Sequence, residues 1–219
     1  LNAFATDLCK LNSNIVEIGC GYGRKAVTLR DFSVQGRRFE GQYVGIDIDQ
    51  ELLDFASSHF PKDQFRFLKS PHVSKTYQDP ALGRSKSESV SRDTQLFQSE
   101  ILSGTQDFVY STSLFTHLLE PDLVDYLKLS YRVLRPGGTM LMNYFCMDHM
   151  NKHHLLGERW TFQHRMGAAY VESVKYPEAA VAYEKAHIES LCRDIGFEHV
   201  ESITDETGQT RQSHLRCRR

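Results

Sequence analysis

Short apolar runs bounded by turn residues alternate along this chain with segments whose apolar positions recur every three or four residues. Asn14–Ile18, Gln42–Asp47, Gln64–Lys69, Gln106–Ser111 and Thr139–Tyr144 read as buried strands. Between them, Ala26, Val27, Leu29 and Phe32 mark the inner side of one helix. Asp49 stands in N-cap position for a second, with Leu52, Leu53 and Ala56 inward and Pro61 as its stop. A third opens at Glu120-Pro121-Asp122 and turns Leu123, Tyr126, Leu127 and Tyr131 to the core. A fourth spans Glu178–Ile195 and closes on Gly196. Strand-helix alternation of this kind predicts an α/β fold with a mainly parallel sheet. Residues 1–13 suggest a short amphipathic helix through Phe4, Leu8 and Leu11, and Gly36–Gly41 a polar loop. Arg135-Pro-Gly-Gly138 predicts the turn that ends the third helix, and Phe197–Ile203 and Gln212–Cys217 two closing strands.

Two stretches break the rhythm. Residues 70–95 are rich in Ser, Lys, Arg and Asp, and predict a long surface loop. Residues 145–178 hold His149, His153, His154, Trp160, Phe162, His164 and Tyr170 with no clear period, and predict a second irregular region.

The candidate chemistry gathers at the first strand. Asn14-Ile-Val-Glu-Ile-Gly-Cys-Gly-Tyr-Gly-Arg24 ends an apolar run in a glycine-dense turn, and Tyr43-Val-Gly-Ile-Asp47 ends the next run in a carboxylate. Gly19, Gly21 and Gly23 let the main chain approach a ligand closely, and the helix behind them offers free N–H groups. Asp47 is placed to accept the hydroxyls of a ribose. Gly21-x-Gly23-x-x-Ala26 fits the dinucleotide pattern, which permits a nicotinamide or flavin reading. Glu17, two residues before Gly19, suits an α-amino group better than a pyrophosphate.

Glu17-x-Gly-x-Gly-x-Gly23, Asp47 and the later Leu134-Arg-Pro-Gly-Gly138 together resemble the class I S-adenosylmethionine-dependent methyltransferases, over roughly residues 14–145. The resemblance implies a single Rossmann-like domain over residues 1–219: a three-layer sandwich around a seven-stranded, mainly parallel sheet. Its first strand would be central and its seventh antiparallel. It implies S-adenosylmethionine as cofactor and S-adenosylhomocysteine as product. Glu17, Gly19, Cys20, Gly21, Gly23, Asp47, Ile48 and Ser111 are then the cofactor-binding candidates. Family members carry an acidic residue after the third strand for the adenine amino group. Lys69-Ser70-Pro71 stands there instead, with Asp93 as a distant substitute. The resemblance also makes residues 145–178 a substrate lid. Ser113-Leu-Phe-Thr-His-Leu118 and Pro177-Glu-Ala-Ala-Val181-Ala-Tyr183 are similar to a bacterial subgroup found beside glycan and natural-product assembly, which points to an oxygen or nitrogen of a small-molecule or glycan-like acceptor.

Composition trims the rivals. Twenty-six Lys and Arg against 28 Asp and Glu give a net charge of −2, without the basic footprint of a nucleic-acid binder. A protein or RNA methyltransferase is one alternative, and for RNA only Lys75, Arg84, Lys86 and Arg92 of the 70–95 loop offer anything basic. Cys9, Cys20, Cys146, Cys192 and Cys217 lack metal spacing and read as free thiols of a reducing, cytoplasmic compartment. No apolar run reaches membrane-spanning length and no signal peptide opens the chain, which starts on Leu1. A non-catalytic cofactor-binding domain and an NAD-dependent oxidoreductase complete the alternatives.

Methyl transfer from a sulfonium needs alignment first, and a base only where the acceptor loses a proton. His117, after the fourth strand, is the candidate base or orienting group; the plain alternative is a helix-start histidine bonded to a neighbouring carbonyl. His149-x-x-x-His153 has the spacing of two imidazoles on one helix face, with Asp148 beside it. No further ligand completes a metal site in the sequence, and none is expected. Trp160, Phe162 and Tyr170 could wall a sugar or planar acceptor, or simply pack the lid.

Overall fold

The computed structural model describes residues 8–72, 103–157 and 159–219. Most of the 70–95 loop, with Asp93 and its basic residues, lies outside the described residues. So does most of the expected opening helix; residues 8–13 are turn and coil. The chain divides into two compact units. The first takes in 8–72, 103–111 and 132–139 of the described residues, and the second 112–131 and 140–219.

In the first unit β1 (Ile15–Ile18) lies between β4 (Tyr43–Asp47) and β6 (Gln106–Ser111), parallel to both. β5 (Phe65–Lys69) continues the sheet beside β4, also in parallel. All four residues of β1 are buried, which explains its unbroken apolar run and makes Glu17 an exception. Two helices follow the strands, α1 (Arg24–Asp31) and α2 (Gln50–His59). Asp49 caps α2 as expected, its Oδ1 accepting the N–H groups of Glu51 at 3.0 Å and Leu52 at 3.2 Å; such a cap contributes about 1 kcal/mol. On α1, Ala26 and Leu29 are buried, whereas Val27 is exposed. The polar loop is a small hairpin instead, β2 (Ser33–Val34) against β3 (Arg37–Arg38).

Gly45 of β4 has no room for a side chain. A Cβ there would stand 2.8 Å from Cys20 Sγ and 2.9 Å from the Phe67 ring. Gly45→Ala is expected to destabilise the protein by about 1–3 kcal/mol, the usual cost of overpacking. Urea unfolding of the two proteins measures it.

α3 (Glu120–Val133), which lies in the second unit as far as Tyr131, presents Leu123, Tyr126 and Leu127 as buried residues. β7 (Leu134–Cys146) contributes residues to both units. Leu134 is fully buried and begins a strand of 13 residues, with the expected Arg135–Gly138 turn kept inside it. Gly137 takes φ 78°, and a Cβ on Gly138 would come within 3.0 Å of the Gln106 carbonyl oxygen. Gly137 thus serves the chain reversal after Pro136, where a positive φ is needed, and Gly138 the close packing against β6 and the Arg135 carbonyl oxygen, also 3.0 Å from such a Cβ.

Residues 145–178 are more regular than expected. They form α4 (Met147–Lys152) and a hairpin of β8 (His164–Met166) with β9 (Ala169–Val171). The supposed helix Glu178–Ile195 is divided. Val181–Tyr183 is a strand, β10, parallel to β7 and antiparallel to β9, and only Lys185–Ile195 is helical (α5). Val181, Ala182 and Tyr183 are all fully buried, as a central strand requires and one helix face does not. Gly196 closes α5 with φ 117°, as expected. The chain ends in an antiparallel pair, β11 (His199–Ile203) and β12 (Ser213–Arg218), with β12 also pairing to β7. The sheet strands number ten among the described residues, against seven expected; the additions are the β8–β9 hairpin and β10. No helix among the described residues is long and apolar enough to cross a membrane.

Candidate functional site

The first unit brings the sequence candidates together at the carboxyl ends of its strands. Gly19, Gly21 and Gly23 all take left-handed angles, φ 80°, 53° and 84°. Such values strain any residue with a Cβ, and they fold the turn back on itself. The N–H groups of Gly19 and Cys20 both donate to the Ile46 carbonyl, at 2.8 and 3.1 Å, which anchors the turn to β4. Among the described residues nothing lies within 4 Å of a Cβ built on Gly21, so that face of the turn opens to space a ligand can enter.

Asp47 locks the turn from the neighbouring strand. Its Oδ2 accepts the Gly21 N–H at 2.7 Å and its Oδ1 the Asp49 N–H at 3.1 Å. Each oxygen keeps lone pairs for a further donor, and the residue is half-buried, with a path to solvent. Burial raises its carboxyl above the usual range, while the N–H groups of Asp49, Gly21 and Ile48 draw it back. Ile48 is half-buried next to it. Ser70 ends β5 by donating its N–H to the Asp47 carbonyl at 2.7 Å. Cys20 is buried with its thiol raised by burial, so it fills space under the turn rather than reacting.

Ser111 is level with Ile18 on the other side of β1 and only 3 % exposed, yet its hydroxyl has no partner among the described residues. Buried polar groups are rarely left so. An orphaned hydroxyl at the end of β6, an open face above Gly21 and a carboxylate with lone pairs to spare fit a nucleoside-bearing ligand with polar ends.

Glu17 is where sequence reasoning fell short. The residue is 1 % exposed, and its Oε2 accepts hydrogen bonds from Tyr43 Oη at 2.5 Å and Tyr110 Oη at 2.9 Å. Burial pushes its carboxyl up to about 7, against those two hydrogen bonds, which pull it down. Tyr43 and Tyr110 were missed as site residues. The signal was available: a carboxylate inside an apolar strand demands buried donors, and strands in parallel register put both tyrosines on its face.

His117 belongs to the second unit, at the end of a 3-10 turn over Phe115–His117. Its Nδ1 lies 2.9 Å from the Glu178 carbonyl oxygen. A carbonyl only accepts, so Nδ1 carries the proton and Nε2 presents a lone pair. Two residues before the turn stands Ser113, a non-glycine residue at φ 61°, whose N–H is held by Asn143 Oδ1 at 2.8 Å. The aromatic residues of the expected lid pack on one another: Phe162 is buried against Phe145, with Trp160 and Tyr170 on the same cluster.

A parallel sheet flanked by helices, with a glycine turn after its central strand and a carboxylate after the next, defines a nucleoside-binding α/β protein of the Rossmann-like kind. The methyltransferase domain model matches residues 16–142, more than half of the chain, and the chain belongs to that family. It is an S-adenosylmethionine-dependent methyltransferase. Solved structures agree on the fold. An S-adenosylmethionine-dependent methyltransferase from Mesorhizobium loti is 13% identical, with TM-score 0.60 over 98% of this chain and 95% of that one. One from Methanosarcina mazei is 16% identical, with TM-score 0.58 over 100% and 98%. The 1,6-didemethyltoxoflavin-N1-methyltransferase of Burkholderia thailandensis, solved with 1,6-didemethyltoxoflavin and S-adenosylhomocysteine bound, is 10% identical, with TM-score 0.55 over 95% and 71%.

Proposed function

We propose that this protein transfers the methyl group of S-adenosylmethionine to an oxygen or nitrogen of a small-molecule or glycan-like acceptor. The observation that carries the cofactor assignment is the orphaned Ser111 hydroxyl beside a glycine turn left open above Gly21. When bound, the cofactor supplies an electrophilic methyl on a sulfonium. Asp47 takes the ribose hydroxyls, and Ile48 lies against the adenosyl end. Gly19, Cys20, Gly21 and Gly23 let the main chain meet the methionyl end, with Ser111 donating to it and Glu17 below. Asp93 is the proposed adenine contact. For the acceptor, a net charge of −2 supports a small ligand over nucleic acid, as does the 1,6-didemethyltoxoflavin held by the Burkholderia enzyme. Residues 145–178 contribute the acceptor's contacts within a chain that works as one methyltransferase domain.

His117 is the proposed base. With Nδ1 donating to Glu178, Nε2 can take the proton an acceptor hydroxyl or amine loses as its lone pair attacks the methyl and the carbon–sulfur bond breaks. His117→Ala is expected to slow turnover at least about tenfold with S-adenosylhomocysteine affinity unchanged. Steady-state kinetics and calorimetry separate the two. Unchanged turnover on the true acceptor removes His117 from the mechanism.

Labelled S-adenosylmethionine offered with panels of small hydroxyl and amine compounds, oligosaccharides, peptides and RNA tests the acceptor assignment. Label appearing only in peptide or RNA overturns the small-molecule reading. A chain that binds cofactor in competition with NAD yet labels none of them would be a binding domain.

A further inference from the structure

Two imidazoles in the second unit have no place in the methyl-transfer scheme. His149 lies on α4 and is 2 % exposed; His153, one turn on, is the residue after the helix and is half-buried. Their ring centroids are 4.8 Å apart. His149 Nε2 stands 2.8 Å from the Thr210 carbonyl oxygen, so Nε2 carries the proton and Nδ1 a bare lone pair. Among the described residues that buried Nδ1 has no partner, and neither has the buried Nε2 of His153. The loop that covers them has no side chain at Gly208, where a Cβ would come 2.8 Å from the His153 ring.

We infer that His149 and His153 bind a late first-row divalent ion through their two unpaired nitrogens. Three observations agree. The pair has the one-turn spacing that puts two imidazoles on one side of a helix. Both free nitrogens are shielded from bulk water, a costly state for a polar atom that has no ligand. The proton on the far nitrogen of His149 goes to a main-chain carbonyl, the arrangement that orients metal-ligating histidines. Asp148 is not a third ligand, because it accepts the Lys185 N–H at 2.7 Å and faces the Cys146 thiol. Among the described residues no three His, Cys, Asp or Glu side chains form a metal cluster, so the two imidazoles are the site's protein ligands among these types. Two imidazole ligands favour copper over nickel and zinc. This site is independent of the cofactor assignment.

Copper(II) added to the full chain is the probe. Trp160, the single tryptophan, packs on the cluster that holds Met147 and Met150 of α4, so its fluorescence reports the ion. Paramagnetic resonance counts the coordinating nitrogens. The expected result is one ion per chain with two imidazole nitrogens, and with zinc and nickel bound more weakly. His153→Gln, at a half-buried position, should remove one nitrogen and weaken binding at least about tenfold; His149→Gln should do the same where it folds. Asp148→Asn should change nothing. A folded chain that takes up no copper overturns the site, and so does His153→Gln binding with unaltered affinity and spectrum. The two nitrogens would then be partners of buried water.

Discussion

Asp47→Ala should weaken S-adenosylhomocysteine binding at least about 100-fold while the protein stays folded. The carboxylate is the proposed acceptor for both ribose hydroxyls, and hydrogen bonds to a charged group contribute about 1.5–3 kcal/mol each. Losing two removes about 3–6 kcal/mol, or two to four powers of ten in affinity. The side chain also holds the turn in shape through Gly21, so the variant loses preorganisation as well as contact. The fold survives because the N–H groups released, those of Gly21 and Asp49, lie at a half-buried edge where water can serve them. Asp47→Asn separates the two effects, since an amide oxygen can still accept one N–H but cannot take both hydroxyls. Calorimetry with the demethylated cofactor, beside thermal unfolding of each variant, makes the measurement. A variant that binds as tightly as the parent removes Asp47 from the site.

What the sequence disclosed and what it hid follow from the range of the interactions. The glycine turn, the Asp49 cap and the Gly196 stop are decided within four residues, so their local signals were legible. The parallel order around β1 was legible too, since strand-helix alternation leaves few topologies. Val181–Tyr183 misled because three apolar residues before a helical pattern carry no period of their own; pairing with Phe145 and Cys146, more than 30 positions earlier, makes them a strand. Residues 145–178 looked irregular for the same reason. Phe145, Met147, Met150 and Phe162 meet Ala180 and Ala182 in a common core, a pattern no short window contains. Glu17 was singled out by its spacing from the glycines, while the tyrosines that hold it come from strands 26 and 93 positions away.

Those tyrosines set up the second large effect, a dependence of stability on pH that Glu17→Gln should remove. The folded protein holds the Glu17 proton up to about pH 7, whereas the unfolded chain releases it near 4.5. Between those values the native state binds a proton that the unfolded state has lost, so stability falls as pH rises. The contribution is whole below about 4.5 and gone above about 7. Integrated over that window it is about 3 kcal/mol, the order expected for a carboxyl whose burial outweighs its hydrogen bonds. Glutamine keeps an acceptor oxygen for Tyr43 or Tyr110 and has no proton to release. Urea unfolding of parent and variant from pH 4.5 to 7.5 should therefore show a stability difference that drifts by about that amount. Parallel profiles would mean that Glu17 ionises normally. The same titration reaches the cofactor: a donor ammonium near Glu17 favours the carboxylate, so binding should expel a proton and tighten as pH rises toward about 7. Calorimetry in buffers of different ionisation enthalpy would read that proton directly.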